Sequence, residues 1–481
     1  MDVPAAAALV DERLAAFRDA EDVPGVAYGL VKDGALVHAS GAGTVEVGAG
    51  RTPGPDDVLR IASMTKSFTA ATLLLLRDRG LLRLDDALAD HLPWTSRLRS
   101  PEGGHPITLR DLLTMGAGFP TDDPWGDRHE SLPVPDFDAL VANGLSFARP
   151  PRTGFEYSNL GYALLGRVLT EVSGVDYRDL VAAELLGPLG MTSTTYDAQA
   201  VPGDRLVPGH APVAAGLVVV PPTGPGAFSP MGGLHSTVRD LARWVAGFQD
   251  AWAPTGAAHP LDRWSRREMQ EPARLIGTTV PEPGGPGRVV TTSYAMGLIC
   301  DDDHELGRFV SHSGGYPGYG SHMRWHPATG WGVVALGNRT YAPCVRVATA
   351  VMDELVAAEL ADAPADPLAG VWPSTLAAMD VAERLVQEWD DDLADSVFAP
   401  NMDLDRPRAE RAADAAAVRA AIGPFRRSAR PPRSTSPAHV RWWLEGATGR
   451  ATVEVLLSPD REPRVQSLRV VLGEAERLPL H

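Results

Sequence analysis

Two lysines stand against forty-two arginines in this chain, and one of the two closes the tetrad Ser63-Met64-Thr65-Lys66. An arginine guanidinium does not deprotonate in a protein, whereas a lysine amine can take a proton from a neighbouring hydroxyl. Residues i and i+3 share one face of a helix, so the Lys66 amine can reach the Ser63 hydroxyl, and the tetrad has the form of a nucleophile with its base. Chance alone yields such a tetrad in roughly one comparable chain in ten, so its surroundings decide its meaning. Leu59 to Ala62 precede the serine, and Phe68, Ala71, Leu74 and Leu75 follow at helical spacing. Ser63 is thereby predicted near the start of a buried helix, where unpaired N–H groups and partial positive charge face whatever is attached to it.

Two further segments carry polar side chains of the right kind. Phe155-Glu156-Tyr157-Ser158-Asn159-Leu160-Gly161-Tyr162 runs into the apolar helix Ala163 to Val172, and the strand-like run Arg308-Phe309-Val310-Ser311 delivers His312-Ser313-Gly314-Gly315. Taken singly, the tyrosine reads as a core aromatic with a satisfied hydroxyl and the histidine as a structural one. In this order and at these distances, the three segments resemble the serine β-lactamase and penicillin-binding-protein superfamily. The branch is the one holding class C β-lactamases, family VIII carboxylesterases and D-aminopeptidases. The resemblance covers about residues 5 to 360 and extends to Ile107–Met115, Leu189–Thr194 and Met231–Thr237.

The resemblance implies a role for each position. Ser63 matches the nucleophile, Lys66 its partner base and Tyr157 the residue that passes the proton to the leaving group. Asn159, His312, Ser313 and Arg346 fall where the family contacts substrate, with His312 in place of the lysine many members carry. The backbone N–H groups of Ser63 and Gly315 match the oxyanion hole. Pro343, just before Arg346, and the lack of a glutamine after Phe119-Pro120 depart from class C enzymes and weigh against efficient β-lactam hydrolysis. What is implied is a serine hydrolase that forms a covalent acyl-enzyme on small esters or amides, needing no metal or cofactor. An acyltransferase or peptide cyclase resembling penicillin-binding-protein-type thioesterases, and a non-catalytic acylated sensor, are the alternatives. Whether Lys66 or Tyr157 is the base in each step is a question of coupled protons that these residues leave open.

Other chemistries find less support. His304-Glu305 after three aspartates lacks a second histidine at helical spacing and reads as a solvated turn rather than a metal site. No Gly-x-Ser-x-Gly elbow occurs, and the glycines from Gly314 to Gly320 form neither GxGxxG nor a phosphate loop. The arginine- and proline-rich run Phe425 to Pro437 reads as a linker or exposed loop. A net charge of -17 disfavours nucleic acid and anionic membranes as partners, and the resemblance implies a small-molecule or short-peptide acyl substrate. No run of 18 apolar residues occurs, so no membrane span is expected, and an N-terminus without a basic start suggests a cytoplasmic chain in which Cys300 and Cys344 are free thiols. The oligomeric state is open.

The elements that must position these residues follow from periodicity. Ala6 to Phe17 reads as an amphipathic helix, and Val26 to Val31 with Leu36 to Ala39 as a hairpin whose exposed turn holds the other lysine, Lys32. Residues 60 to 250 read as mainly helical. Strands are expected at Tyr294–Ile299, Phe309–His312, Ser321–Trp325 and Gly332–Leu336, then a helix from Val345 to Leu360. The fold class expected is α/β (α+β): an antiparallel sheet made from both ends of residues 1–362, with a helical lobe. Residues 361 to 367 read as a boundary, and residues 368–481 as a small α+β domain of unknown role. Helices are expected there at Ala377–Leu393 and Ala409–Ile422, and strands at Val440–Leu444, Ala451–Leu457 and Val465–Leu472.

Overall fold

Alternating burial along Gly25–Lys32 (β1) explains how the sheet comes to be covered on both sides. Val26, Tyr28 and Leu30 enter one core, while Ala27 and Val31 enter another, as the period of two requires. The computed structural model describes residues 1–481 apart from 49, 100–103, 254–257, 283–286, 363–366 and 474–481. Its described residues form two compact units, Met1–Ala363 and Pro364–His481.

In the first unit, β1 pairs with Ala35–Gly43 (β2) through a turn whose Asp33 and Gly34 both have positive φ. The remaining strands come from much later in the chain: Arg274–Thr279 (β3), Val290–Tyr294 (β4), Ile299–Asp303 (β5), Gly307–Tyr316 (β6), Tyr319–Trp325 (β7) and Trp331–Gly337 (β8). The sheet order is β2-β1-β8-β7-β6-β5-β4-β3, antiparallel throughout, so both ends of the unit meet at the β1–β8 ladder. Helices Val3–Ala20 (α1) and Cys344–Asp362 (α5) join one face through Ala6, Val10, Leu14, Val351 and Leu355. The other face packs on the helical lobe, which includes Thr65–Asp78 (α2), Asn159–Ser173 (α3) and Val238–Asp250 (α4). Every residue of α2 from Thr65 to Leu76 is buried, which marks a central core helix rather than a surface one. Phe68 of α2 stacks on Trp244 of α4 with ring centroids 4.0 Å apart.

The second unit is a four-stranded antiparallel sheet of Phe425–Arg427, His439–Gly446, Arg450–Leu457 and Val465–Leu472 with helices Pro373–Gln387 and Arg408–Ile422. Its own core gathers Met379, Leu385, Val418, Trp442, Val453 and Val455.

Three expectations need correcting. The strand expected at Tyr294–Ile299 straddles the β4–β5 turn, where Gly297 has φ 72°. The helix expected over Ala377–Leu393 stops at Gln387, and Asp390 caps a new one at Asp391–Val397. Lys32 is not in an exposed turn: it ends β1, donates to Thr329 O at 2.5 Å and Glu359 Oε1 at 3.1 Å, and covers the Trp331 ring. Residues 363–366 of the expected boundary lie outside the described residues. Among the described residues, no helix is long and apolar enough to cross a membrane. Cys300 and Cys344 are free and buried, and burial pushes both thiols up to about 12.

Because the core residues of the first unit run only to Val356 and those of the second begin at Ala378, a chain truncated after Asp362 is proposed to fold alone. Its near-ultraviolet circular dichroism and a cooperative melt should survive the truncation. Aggregation of the shortened chain would show instead that the second unit completes the first.

Candidate active site

Ser63 sits at a strained elbow. Leu59–Arg60 pairs with His235–Ser236, Ile61 donates its N–H to Leu234 O at 2.9 Å and accepts from Ser321 Oγ at 2.8 Å. The next residue, Ala62, has φ 45°, an uncommon conformation for a residue with a Cβ, costing on the order of 1–3 kcal/mol. A single 3₁₀ turn, Ala62–Met64, then leads into α2. Gly314 of β6 lies so close that an added Cβ would come within 2.2 Å of Ile61 O, so only glycine lets that strand approach the elbow. Gly297 plays the same part on the other side, where a Cβ would meet Lys66 O at 2.7 Å.

The helix start brings Lys66 under the serine, as its spacing predicts. The lysine is fully buried, and each of its three N–H groups has an acceptor: Ser63 Oγ at 2.9 Å, Asn159 Oδ1 at 2.6 Å and Met231 O at 2.9 Å. Its ammonium lies 4.8 Å from the Tyr157 ring centroid. Burial pulls its pKa down to about 8, against an opposing pull from Asp123, Asp122 and Asp127. Tyr157 moves the other way: burial first, then the charge of Asp123, hold its pKa well above the ordinary phenol value, although the Ser63 hydroxyl beside it favours the phenolate. At neutral pH the pair therefore consists of a phenol and an amine that can lose its proton.

A second layer holds these groups in place. Asp122 accepts from the N–H groups of Asn159 at 2.6 Å and Leu160 at 2.9 Å, anchoring the start of α3, which Ser158 also caps through Gly161 N. Both ends of the Asn159 amide are engaged, its oxygen on Lys66 and its nitrogen on Asp123 Oδ1 at 2.8 Å. His312 is buried and neutral: burial first, then Lys66, push its pKa down to about 3, its Nδ1 lies 2.6 Å from Ser313 O and its Nε2 3.3 Å from Tyr294 Oη. Ser313 Oγ lies 2.8 Å from Nδ1 of buried His322. Gly315 falls beyond the last β5 pair, Ser311↔Ile299, so that stretch of β6 has no β5 residue opposite it.

A cleft of about 410 Å³ is lined by Ser63, Asp123, Asp127, Tyr157, His312, Ser313, Gly315 and Tyr341 among others. Lys66 and Asn159 lie buried beneath it. Of the residues expected at the site, Arg346 alone is not brought in. It occupies the first turn of α5, where its side chain is 71% exposed and pairs with Glu21. Asn159 holds Lys66 and Asp123 rather than facing the cleft. The carboxylates Asp122, Asp123 and Asp127 escaped sequence reasoning because they carry no periodic pattern; three aspartates within six residues, split by Pro124, are the one signal that could have marked them. Among the described residues, no three His, Cys, Asp or Glu side chains are grouped to hold a metal.

The sequence matches a known family. The family described as Beta-lactamase matches residues 10–357. The chain belongs to the beta-lactamase family. Protein flp of Staphylococcus aureus (strain NCTC 8325 / PS 47) is 27% identical over 317 residues, which is 66% of this chain and 60% of flp, so the chain spans well under two thirds of that relative. The structure of the octameric penicillin-binding protein homologue from Pyrococcus abyssi aligns with a TM-score of 0.61 at 21% identity, covering 98% of this chain and 100% of that one. The beta-lactamase/D-alanine carboxypeptidase from Yersinia pestis complexed with citrate aligns with a TM-score of 0.60 at 22% identity, covering 74% of this chain and 100% of that one. At such identities the two structures establish a shared fold.

If Asp122 anchors α3 through its two N–H contacts, Asp122→Ala should lower stability by about 1–3 kcal/mol, the cost of leaving those donors unsatisfied. Chemical denaturation checks this, and an unchanged midpoint would show that water replaces the carboxylate without loss.

Proposed function

We propose that this beta-lactamase family member is a serine acyl hydrolase acting through a covalent acyl-enzyme on small esters or amides. The observation that carries this reading is the 2.9 Å contact between Ser63 Oγ and a fully buried lysine whose pKa is pulled down to about 8. A serine hydroxyl attacks only when a base removes its proton, and among the two neighbours only Lys66 offers a base near neutral pH.

In the proposed sequence, the neutral Lys66 amine takes the Ser63 proton as Oγ bonds to the carbonyl carbon. The carbonyl electrons move onto oxygen, where the N–H groups of Ser63 and Gly315 receive the charge, a contribution of about 3–4 kcal/mol per donor in comparable sites. Collapse of the tetrahedral intermediate expels the leaving group, which takes its proton through Tyr157, and the phenol is replenished from Lys66. Water then attacks the acyl-enzyme, with the same groups accepting and returning its proton. A beta-lactamase/D-alanine carboxypeptidase from Yersinia pestis shares the fold, which supports the hydrolase reading. His312, neutral and buried, does not supply the positive charge of the lysine it replaces.

Three outcomes test this. An aryl phosphonate should add a single mass located on the Ser63 peptide, and labelling that persists in Ser63→Ala would refute the assignment. Lys66→Arg keeps charge but accepts no proton, so turnover of an aryl ester should fall on the order of 10²- to 10⁴-fold; near-normal kinetics would leave Lys66 as a fixed charge only. The rate of Ser63 labelling should rise with pH through a midpoint near 8 as Lys66 loses its proton, and a flat profile between about pH 6 and 9 would contradict that base. A burst of one equivalent without steady turnover would favour an acylated sensor, and transfer to an added amine with little hydrolysis an acyltransferase.

A further inference from the structure

The walls of the cleft are negative, and no described cation on them is placed to receive a carboxylate. Asp123 and Asp127 line the same space as Ser63 and Tyr157. Asp127 is 6% exposed, its Oδ2 accepts from Tyr341 at 2.7 Å, and no described residue donates to its Oδ1. Asp123 accepts from Asn159 through Oδ1 only, and no described residue donates to its Oδ2.

The cations nearby are engaged elsewhere or do not line the cleft. Lys66 has used all three N–H groups. Buried Arg60 bonds to Glu130 and Gly232 O and lies over the Tyr316 ring. Arg128, on the same short helix as Asp123 and Asp127, lies near enough for its charge to act on Tyr341 but does not itself line the cleft. Arg346, expected to contact substrate, pairs with Glu21 at the surface, and His312 is uncharged. A cleft lined by two carboxylates and, among the described residues, by no lysine or arginine attracts an organic cation and repels an anion, the more so where the wall is desolvated. The buried Asp127 carboxyl is held up at about 6 by desolvation, the mark of an acid without enough positive charge opposite it.

We propose that the cleft selects substrates bearing an ammonium group close to the scissile carbonyl, with Asp127 and Asp123 accepting the ammonium N–H groups. This rests on Ser63 being the nucleophile. Neutral esters enter the same cleft without that contact, and substrates with a carboxylate at this position are disfavoured.

The test uses the full-length protein and two aryl phosphonates of matched shape, one carrying a 2-aminoethyl group and one a propyl group, so that an ammonium replaces a methyl. In each, Ser63 Oγ bonds to phosphorus, its proton passes to Lys66 and an aryloxide leaves, so mass spectrometry of the Ser63 peptide reads the rate without requiring turnover. The ammonium probe should label about ten- to hundredfold faster at neutral pH and low salt, the range of one charge-assisted contact. That ratio should fall at least about fivefold in Asp127→Asn and again in Asp123→Asn, with circular dichroism and melting confirming that each variant folds. Asp123 is exposed, so its variant guards against a folding defect in the other. Equal rates in the unaltered protein overturn the cation subsite while leaving the hydrolase reading intact, as does a preference that survives both substitutions. Failure of both probes to label Ser63 overturns the nucleophile and the subsite together.

Discussion

One buried amine organises the centre of this protein. Lys66 is fully excluded from solvent yet donates to three acceptors from three separate segments, Ser63 in the turn before its helix, Asn159 at the start of α3 and the Met231 carbonyl. Burial, set against the pull of the nearby aspartates, leaves the ammonium roughly 3 kcal/mol less favourable relative to the amine than in water, by the net shift from 10.5 to about 8. The penalty is bearable because every N–H has an oxygen and because Asp122, Asp123 and Asp127 stand nearby. Removing one of these carboxylates would tip the buried lysine further toward its neutral amine. Arginine fills almost every other cationic position in the chain, so a lysine at this one is explained by the amine that arginine cannot provide.

The fold serves that constraint by bringing distant segments against a single helix. α2 is buried on all sides, Gly297 lets the β4–β5 turn rest on its first turn, and Gly314 lets β6 rest on the elbow before it. The strain at Ala62 is held by bonds from Leu234 and Ser321 to the adjoining Ile61. Such strain persists only where the surroundings over-determine the backbone, and here it aims Ser63 at the cleft.

Much of this was legible in the sequence, for identifiable reasons. The three-residue step from Ser63 to Lys66 is a local rule of helix geometry, and the alternation of Val26 to Val31 and the apolar face after Ser63 are periodic signals that survive tertiary context. What escaped is non-periodic. Asp122, Asp123 and Asp127 act through a short irregular segment, and their role exists only once α3 and α2 are in place. Arg346 occupies a sequence position consistent with substrate contact, yet the first turn of α5 points its side chain to Glu21. The strand misplaced over Tyr294–Ile299 shows the same limit: an apolar run reads as strand, while Gly297 inside it, at φ 72°, makes it a turn.

With only two lysines in the chain, the state of Lys66 can be observed directly. Selective ¹³C labelling of lysine would yield two ε-methylene signals, assigned with a Lys32→Arg variant, and their shifts can be followed with pH in the protein free of ligand. The Lys66 signal should titrate with a midpoint near 8 if burial holds the amine as described. A midpoint above about 10, the ordinary value for a solvated lysine, would contradict it.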